Sequence, residues 1–245
     1  MSTFRLTIEY QGTHFSGWQR QPNVRTVQGV LEQSLATLLR QEVPIQGAGR
    51  TDAGVHAIGQ AASFEAETAM APEKIRKGLT ALSRPEIAVV ETVVAPDGWN
   101  ARFAAQGKHY RYTVLSRPSP SPIHRDTSYF IPVRLDRAVM REAAAKLIGT
   151  HDFAGFRASD CGRDNTIREL SEISISSLER GFIHIDVKGT AFLKNMVRII
   201  AGTLIEVGKG RLSPDIVDEV LASGDRTIAG PTAPAHGLTL MRVYY

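Results

Sequence analysis

Apolar and polar residues alternate through "FRLTIEY", where Phe4, Leu6, Ile8 and Tyr10 are separated by Arg5, Thr7 and Glu9. That period of two predicts a half-buried strand. The spacing then changes. In "TVQGVLEQSLATLLRQ", Val27, Val30, Leu31, Leu35, Leu38 and Leu39 fall on one side of a 3.6-residue repeat behind Thr26, which suits a helix cap. "VHAIGQAASFEAE" reads as a second strand. "APEKIRKGLTAL" reads as a helix with Pro72 in its first turn and Ile75, Leu79 and Leu82 on one face. "EIAVVETVVA" closes this half as a strand.

The second half repeats the order without repeating the residues. "KHYRYTVLS" predicts a strand, and "DRAVMREAAAKLIG" a helix capped by Asp136. "RELSEISISSL" and "FIHIDVKG" predict a hairpin turning near Gly181, and "FLKNMVRIIAGTLIEVGKG" a long helix that would place Lys194 and Arg198 together on one face. Ser213 and Pro214 announce a short helix, and "LTLMRVYY" a closing strand. Each half thus approximates β-α-β-β-α-β, the split unit of ferredoxin-like domains. The expected fold class is α+β: two such halves with antiparallel sheets, helices on one face and an active-site cleft between them. The boundary falls near residue 104, giving domains 1–104 and 105–245. The Pro- and Ser-rich stretch 116–130 reads as a long loop following a strand.

Composition narrows the class. Hydrophobic residues make up 42% of the 245 and charged residues 22%, as expected of a folded chain rather than a disordered one. No window approaches the length of apolar sequence needed to span a bilayer, and the start "MSTFRLTIEY" lacks the pattern of a secretory leader. The single cysteine, Cys161, precludes an intrachain disulfide and suits a reducing, cytoplasmic setting. The net charge of +4 inclines the surface toward polyanions without defining one.

Candidate chemistry concentrates in "GAGRTDAGVHA", residues 47–57, where Arg50 and Asp52 stand among three glycines. Glycine density with fixed charge implies an unusual backbone path or a closely approached ligand. A cation beside Asp52 would keep its carboxylate ionised, as a nucleophile or base requires. The same residues would also suit an ordinary turn in which Asp52 caps amides and Arg50 faces water. The loop lacks the Gly-Lys-Ser/Thr ending of a phosphate cradle and the G-x-G-x-x-G dinucleotide spacing. His56 reads as a structural histidine, and the scattered histidines show no metal-binding spacing. In "KHYRYTV", Tyr110 and Tyr112 share one strand face, suited either to the core or to stacking on a base. Arg168 and Arg198 are basic positions at the edges of apolar runs.

Taken together, "YQGTHFSGWQRQPNVRTVQGVLE", "GRTDAGVHAIGQ", "NARFAAQGKHYRY", "FLKNMVRIIAGTL" and "APAHGLTLMRV" closely resemble, in order and over nearly the whole chain, the tRNA pseudouridine synthase A family. The resemblance implies an enzyme that isomerises uridines 38 to 40 of the tRNA anticodon arm without cofactor or metal, and a homodimer that engages tRNA and no membrane. It assigns Asp52 as the catalytic aspartate, Arg50 as its partner, Tyr110 as the tyrosine contacting the target uridine, and Arg168 and Arg198 as basic positions around the pocket. The chain departs from the family's "FHARFSA" block by reading "WNARFAA", so that Asn100 carries no charge. The competing classes are a non-catalytic RNA-binding module of ferredoxin-like fold and a hydrolase using Asp52 with His56.

Overall fold

The computed structural model describes residues 1–245. In chain order the elements are β1 (Ser2–Tyr10), α1 (Val27–Leu39), β2 (Gln46–Gly47), β3 (His56–Ala66), α2 (Pro72–Ser83), β4 (Ile87–Ala95), β5 (Gly107–Ser116), β6 (Tyr129–Ile131), α3 (Arg137–Ala145), β7 (Gly149–Asp152), β8 (Ile167–Ser177), β9 (Phe182–Gly189), α4 (Met196–Gly208), α5 (Ile216–Ser223) and β10 (Leu238–Tyr244). The fold class is α+β, as the alternation of periods predicts. Two compact units divide the chain: residues Met1–Gln106 with Thr239–Tyr245, and residues Gly107–Leu238. The closing strand, read from the sequence with the second half, therefore groups with the first.

In unit 1, β1 lies between β3 and β4, antiparallel to both. Its alternation resolves as expected, with Phe4, Leu6, Ile8 and Tyr10 all buried. On the far side of β3, β10 runs parallel to it, pairing Thr239 with His56 and Leu240 with Ala57, and β2 adds a short antiparallel rung at Ser63 and Ala62. Thr26 caps α1 as predicted, its Oγ1 accepting the Gly29 N–H at 3.2 Å, and Pro72 occupies the first turn of α2. Leu31 and Leu35 of α1 and Ile75 and Leu79 of α2 are fully buried. The order β1-α1-β2-β3-α2-β4 is the predicted one.

Unit 2 is less regular. β5, β9, β8 and β7 are successive antiparallel neighbours, with β6 running parallel beside β5. Asp136 caps α3 by accepting from the Ala138 and Val139 amides at 2.9 and 3.3 Å. β6 and β7, of three and four residues, carry too few positions to display a period. The long helix predicted from Phe192 is shorter than its apolar pattern suggests. Asn195 adopts a left-handed conformation at φ 59°, so α4 begins at Met196. Lys194 precedes the helix and bonds Asp160, and it does not share a helix face with Arg198.

One buried carboxylate ties α1 to the approach to β2. Glu32 Oε1 accepts from Gln28 Nε2 at 2.9 Å and from the Ile45 amide at 3.0 Å, while Oε2 faces the Arg20 guanidinium at 3.1 Å. Ile45 is buried, so no water replaces a lost acceptor there. Glu32→Ala should therefore lower the stability of unit 1 by about 1–3 kcal/mol, the cost of stranding buried donors, and Glu32→Gln by less. Both tryptophans, Trp18 and Trp99, belong to unit 1, so urea unfolding followed by their fluorescence reads this loss directly.

Candidate active site

The glycine-rich loop of unit 1 runs from β2 to β3, and its backbone is tied down on both sides of Asp52. Thr51 is the main anchor. Its carbonyl accepts the Trp18 N–H at 3.1 Å, and its hydroxyl shares a buried 2.8 Å hydrogen bond with the Tyr10 phenol. Burial raises the Tyr10 pKa well above the usual phenol range, against smaller lowering effects from its Thr51 and Gln60 hydrogen bonds, so the phenol stays protonated. Beyond Asp52 the chain turns sharply. The Val55 amide returns to the Asp52 carbonyl at 3.1 Å, Gly54 sits at φ 79°, and the Gly54 amide reaches the Phe15 carbonyl at 3.3 Å. Upstream, Gln60 Nε2 holds the Gly49 carbonyl at 3.0 Å.

The segment that supplies these partners, residues 12–18, has to lie against the loop. A Cβ on Gly12 would stand 2.0 Å from the Val55 carbonyl oxygen. A Cβ on Gly17 would stand 2.7 Å from the Thr51 carbonyl oxygen, and Gly17 also holds φ at 87°. His56 is buried, and its Nδ1 accepts the Gly12 amide at 3.0 Å, a structural tie of the kind the sequence predicts. Asp52 itself is half-buried at the head of the turn. Arg50 is exposed, and its Nε donates to Gln19 Oε1 at 3.1 Å rather than forming an ion pair with Asp52.

The remaining predicted site residues belong to unit 2. Tyr110, on β5, is 7% exposed and meets Phe192 edge-on, with ring centroids 5.1 Å apart. On the opposite face of β5, His109 and Arg111 both bond Asp186 Oδ1, at 2.6 and 2.9 Å. Tyr112 donates to the Pro234 carbonyl at 2.8 Å, and Arg198 Nε donates to the adjacent Ala233 carbonyl at 2.8 Å. Arg198 also reaches Asn195 Oδ1 at 2.9 Å. β5 and α4 thus jointly hold the segment "APAHG". Arg168, at the start of β8, donates through Nη1 to the Asn165 carbonyl at 3.2 Å and keeps a buried, unpartnered Nε. Partial burial lowers its pKa, with repulsion from Arg163 adding to the effect.

The sequence reading overlooked the supporting residues Tyr10, Thr51, Gly12 and Gly17. Tyr10 carried the pattern of a core strand, and only the glycine pair in "YQGTHFSG" hinted at a close approach of backbones.

Comparison with known proteins shows the family. The profile of the family described as tRNA pseudouridine synthase matches residues 6–104 and 143–245. A relative from Citrifermentans bemidjiense, "tRNA pseudouridine synthase A", is 48% identical over 100% of this chain and 98% of its own. Proteins of the same name from Geotalea uraniireducens and Myxococcus xanthus are 47% and 46% identical, covering 100% of this chain and 100% and 92% of theirs. The chain belongs to the tRNA pseudouridine synthase family. It is an isomerase rather than a non-catalytic binding module or a hydrolase.

Gly17→Ala tests how far the loop depends on its cradle. The added methyl group would push on the Thr51 carbonyl and strain a left-handed backbone, displacing the residue next to Asp52. Pseudouridine formation should fall at least tenfold in kcat, with a smaller change in tRNA binding, since misplacement of about 1 Å is enough to cost turnover. Steady-state kinetics together with a tRNA binding isotherm check it.

Proposed function

We propose that this enzyme converts uridines 38, 39 and 40 of the tRNA anticodon stem-loop to pseudouridine, with Asp52 as the catalytic carboxylate. Pseudouridine is an isomer of uridine. The bond from the ribose C1′ to N1 breaks, a bond from C1′ to C5 forms, the C5 proton leaves and N1 gains one. Nothing is oxidised and no group is added, so the chemistry requires no cofactor or metal. Because the uracil must rotate between the two bonds, the nucleotide is flipped out of its stack, at about a few kcal/mol.

One observation carries this reading. Asp52 heads a turn whose two flanks are fixed by Trp18, Tyr10 and Phe15, so the backbone that bears its carboxylate is held in place. Such preorganisation serves attack on the sugar, attack on the base, or removal of a sugar proton equally, and all three use the ionised acid. In the same reading Arg50 works with Asp52 at the substrate. Its exposure and its single tie to Gln19 leave the guanidinium able to turn toward RNA. Tyr110 contacts the target uracil, and Arg168 and Arg198 offer positive charge to the RNA backbone. Residues 1–104 carry the carboxylate, while 105–245 carry the tyrosine and the basic positions. The working form is a homodimer in the cytoplasm. No helix is long and apolar enough to cross a membrane.

Asp52→Asn should abolish isomerisation while tRNA binding survives, because binding is spread over many phosphate contacts. Release of tritium from tRNA labelled at C5 of uridine measures the first, and a filter-binding isotherm the second. Normal tritium release by the variant would remove Asp52 from the mechanism.

A further inference from the structure

Between β4 and β5 the chain makes a tight turn over Trp99–Ala104 that is fixed to unit 1 from several directions. Asn100 organises it from within. Its Oδ1 accepts the Arg102 and Phe103 amides at 2.9 and 3.3 Å, and its carbonyl accepts the Ala104 amide at 3.0 Å. Ala101 is fully buried, with its amide on Ser63 Oγ at 3.1 Å and its carbonyl accepting the Tyr245 phenol at 3.0 Å. The Trp99 ring packs on Tyr245 at 4.9 Å, and the Gly98 amide donates to Thr3 Oγ1 at 3.1 Å. Asn100, where the family pattern carries a different residue, therefore acts as the turn's internal cap.

This anchored turn holds an aromatic ring out in water. Phe103 is 81% exposed, and the Arg102 guanidinium lies 5.8 Å from its centroid, against the ring rather than against a carboxylate. Scattered exposed apolar residues are ordinary on a protein surface. A ring on a turn with its amides bonded and Ala101 buried is different, because little backbone freedom remains to be lost when a partner binds. A flat ring beside an unneutralised cation fits a nucleobase with its phosphate, through stacking and charge together.

We propose that Phe103, backed by Arg102, is a stacking platform for an unpaired base of the substrate RNA, remote from the reacting uridine. The proposal rests on the tRNA reading above. Ser63, which anchors the turn, lies seven residues along β3 from His56, about 23 Å at the usual strand rise. The turn thus sits toward the end of β3 away from Asp52, whose neighbour Thr51 bonds Tyr10 opposite Ala57. The platform acts on affinity and leaves the chemical step alone.

The test compares wild-type full-length protein with Phe103→Ala, Phe103→Leu and Phe103→Trp, all at an exposed position where folding is little affected. Phe103→Ala and Phe103→Leu should weaken tRNA binding by roughly 5- to 150-fold, the equivalent of about 1–3 kcal/mol for one stacked base. KM should rise accordingly and kcat at saturating tRNA should stay within about twofold of wild type. Phe103→Trp should restore binding, since a larger ring stacks at least as well. Wild-type affinity in Phe103→Ala overturns the platform, as does rescue by leucine, which would show that bulk rather than an aromatic face is needed. A binding loss that tracks a fall in sedimentation mass would instead assign the residue to contact with a second copy of the chain, and also overturns it. The two readings fail separately. If wild-type protein forms no pseudouridine in tRNA, the functional reading falls. If it does and Phe103→Ala binds normally, only the platform falls.

Discussion

The site in unit 1 depends on the packing of two backbone segments, residues 12–18 and 48–55, closely enough that glycine is required between them. The Thr51 carbonyl and hydroxyl are both engaged, by the Trp18 amide and the Tyr10 phenol, one residue before Asp52. Each such bond contributes only about 1 kcal/mol net, but leaving one of these buried groups unpaired costs more than the bond supplies. The loop is therefore held less by any single attraction than by the absence of another arrangement in which its polar groups are all satisfied. The backbone at position 52 is fixed by that constraint.

Unit 2 handles its own irregular segment in a similar way. The carbonyls of Ala233 and Pro234 are taken by a guanidinium from α4 and a phenol from β5. Burial, with repulsion from Tyr129 adding to it, keeps the Tyr112 phenol protonated and therefore a donor. Arg198 thus does two things with one side chain. It supplies positive charge, and through Nε it fixes a stretch of backbone that has no strand or helix to stabilise it. A lysine would keep the charge, but its single ammonium would not reproduce the forked geometry that reaches Ala233 and Asn195 together.

Much of this was legible in the chain, and the exceptions have physical causes. Strands with a polar face and helices with capped ends announced themselves, because periodicity and caps are local: Thr26, Pro72 and Asp136 stand where they were expected. The start of α4 was misread because apolar Phe192 and Leu193 extend the helical pattern through a residue whose backbone turns left-handed. β6 and β7 were too short to leave a pattern. Asp52 was conspicuous because charge in a glycine run is unusual. Tyr10 was invisible as a site residue, since the alternation that buries it describes a core strand equally well. Its pairing with Thr51 spans 41 residues, which no local rule detects. Asn100 looked like a lost charge in sequence, whereas its value lies in an amide oxygen that only the folded turn puts to use.

The chain returns to unit 1 after unit 2, so unit 1 is built from two stretches far apart in sequence. β10 occupies the place beside β3, and the Tyr245 phenol clasps Ala101, so the first unit is closed by a strand that follows the whole of the second in sequence. In sequence, residues Gly107–Leu238 separate that strand from the rest of unit 1. Bringing the two stretches together closes a long loop, whose entropic cost grows only slowly with its length. The loop bearing Asp52, which leads into β3, therefore borders a pairing made across the whole of the inserted unit.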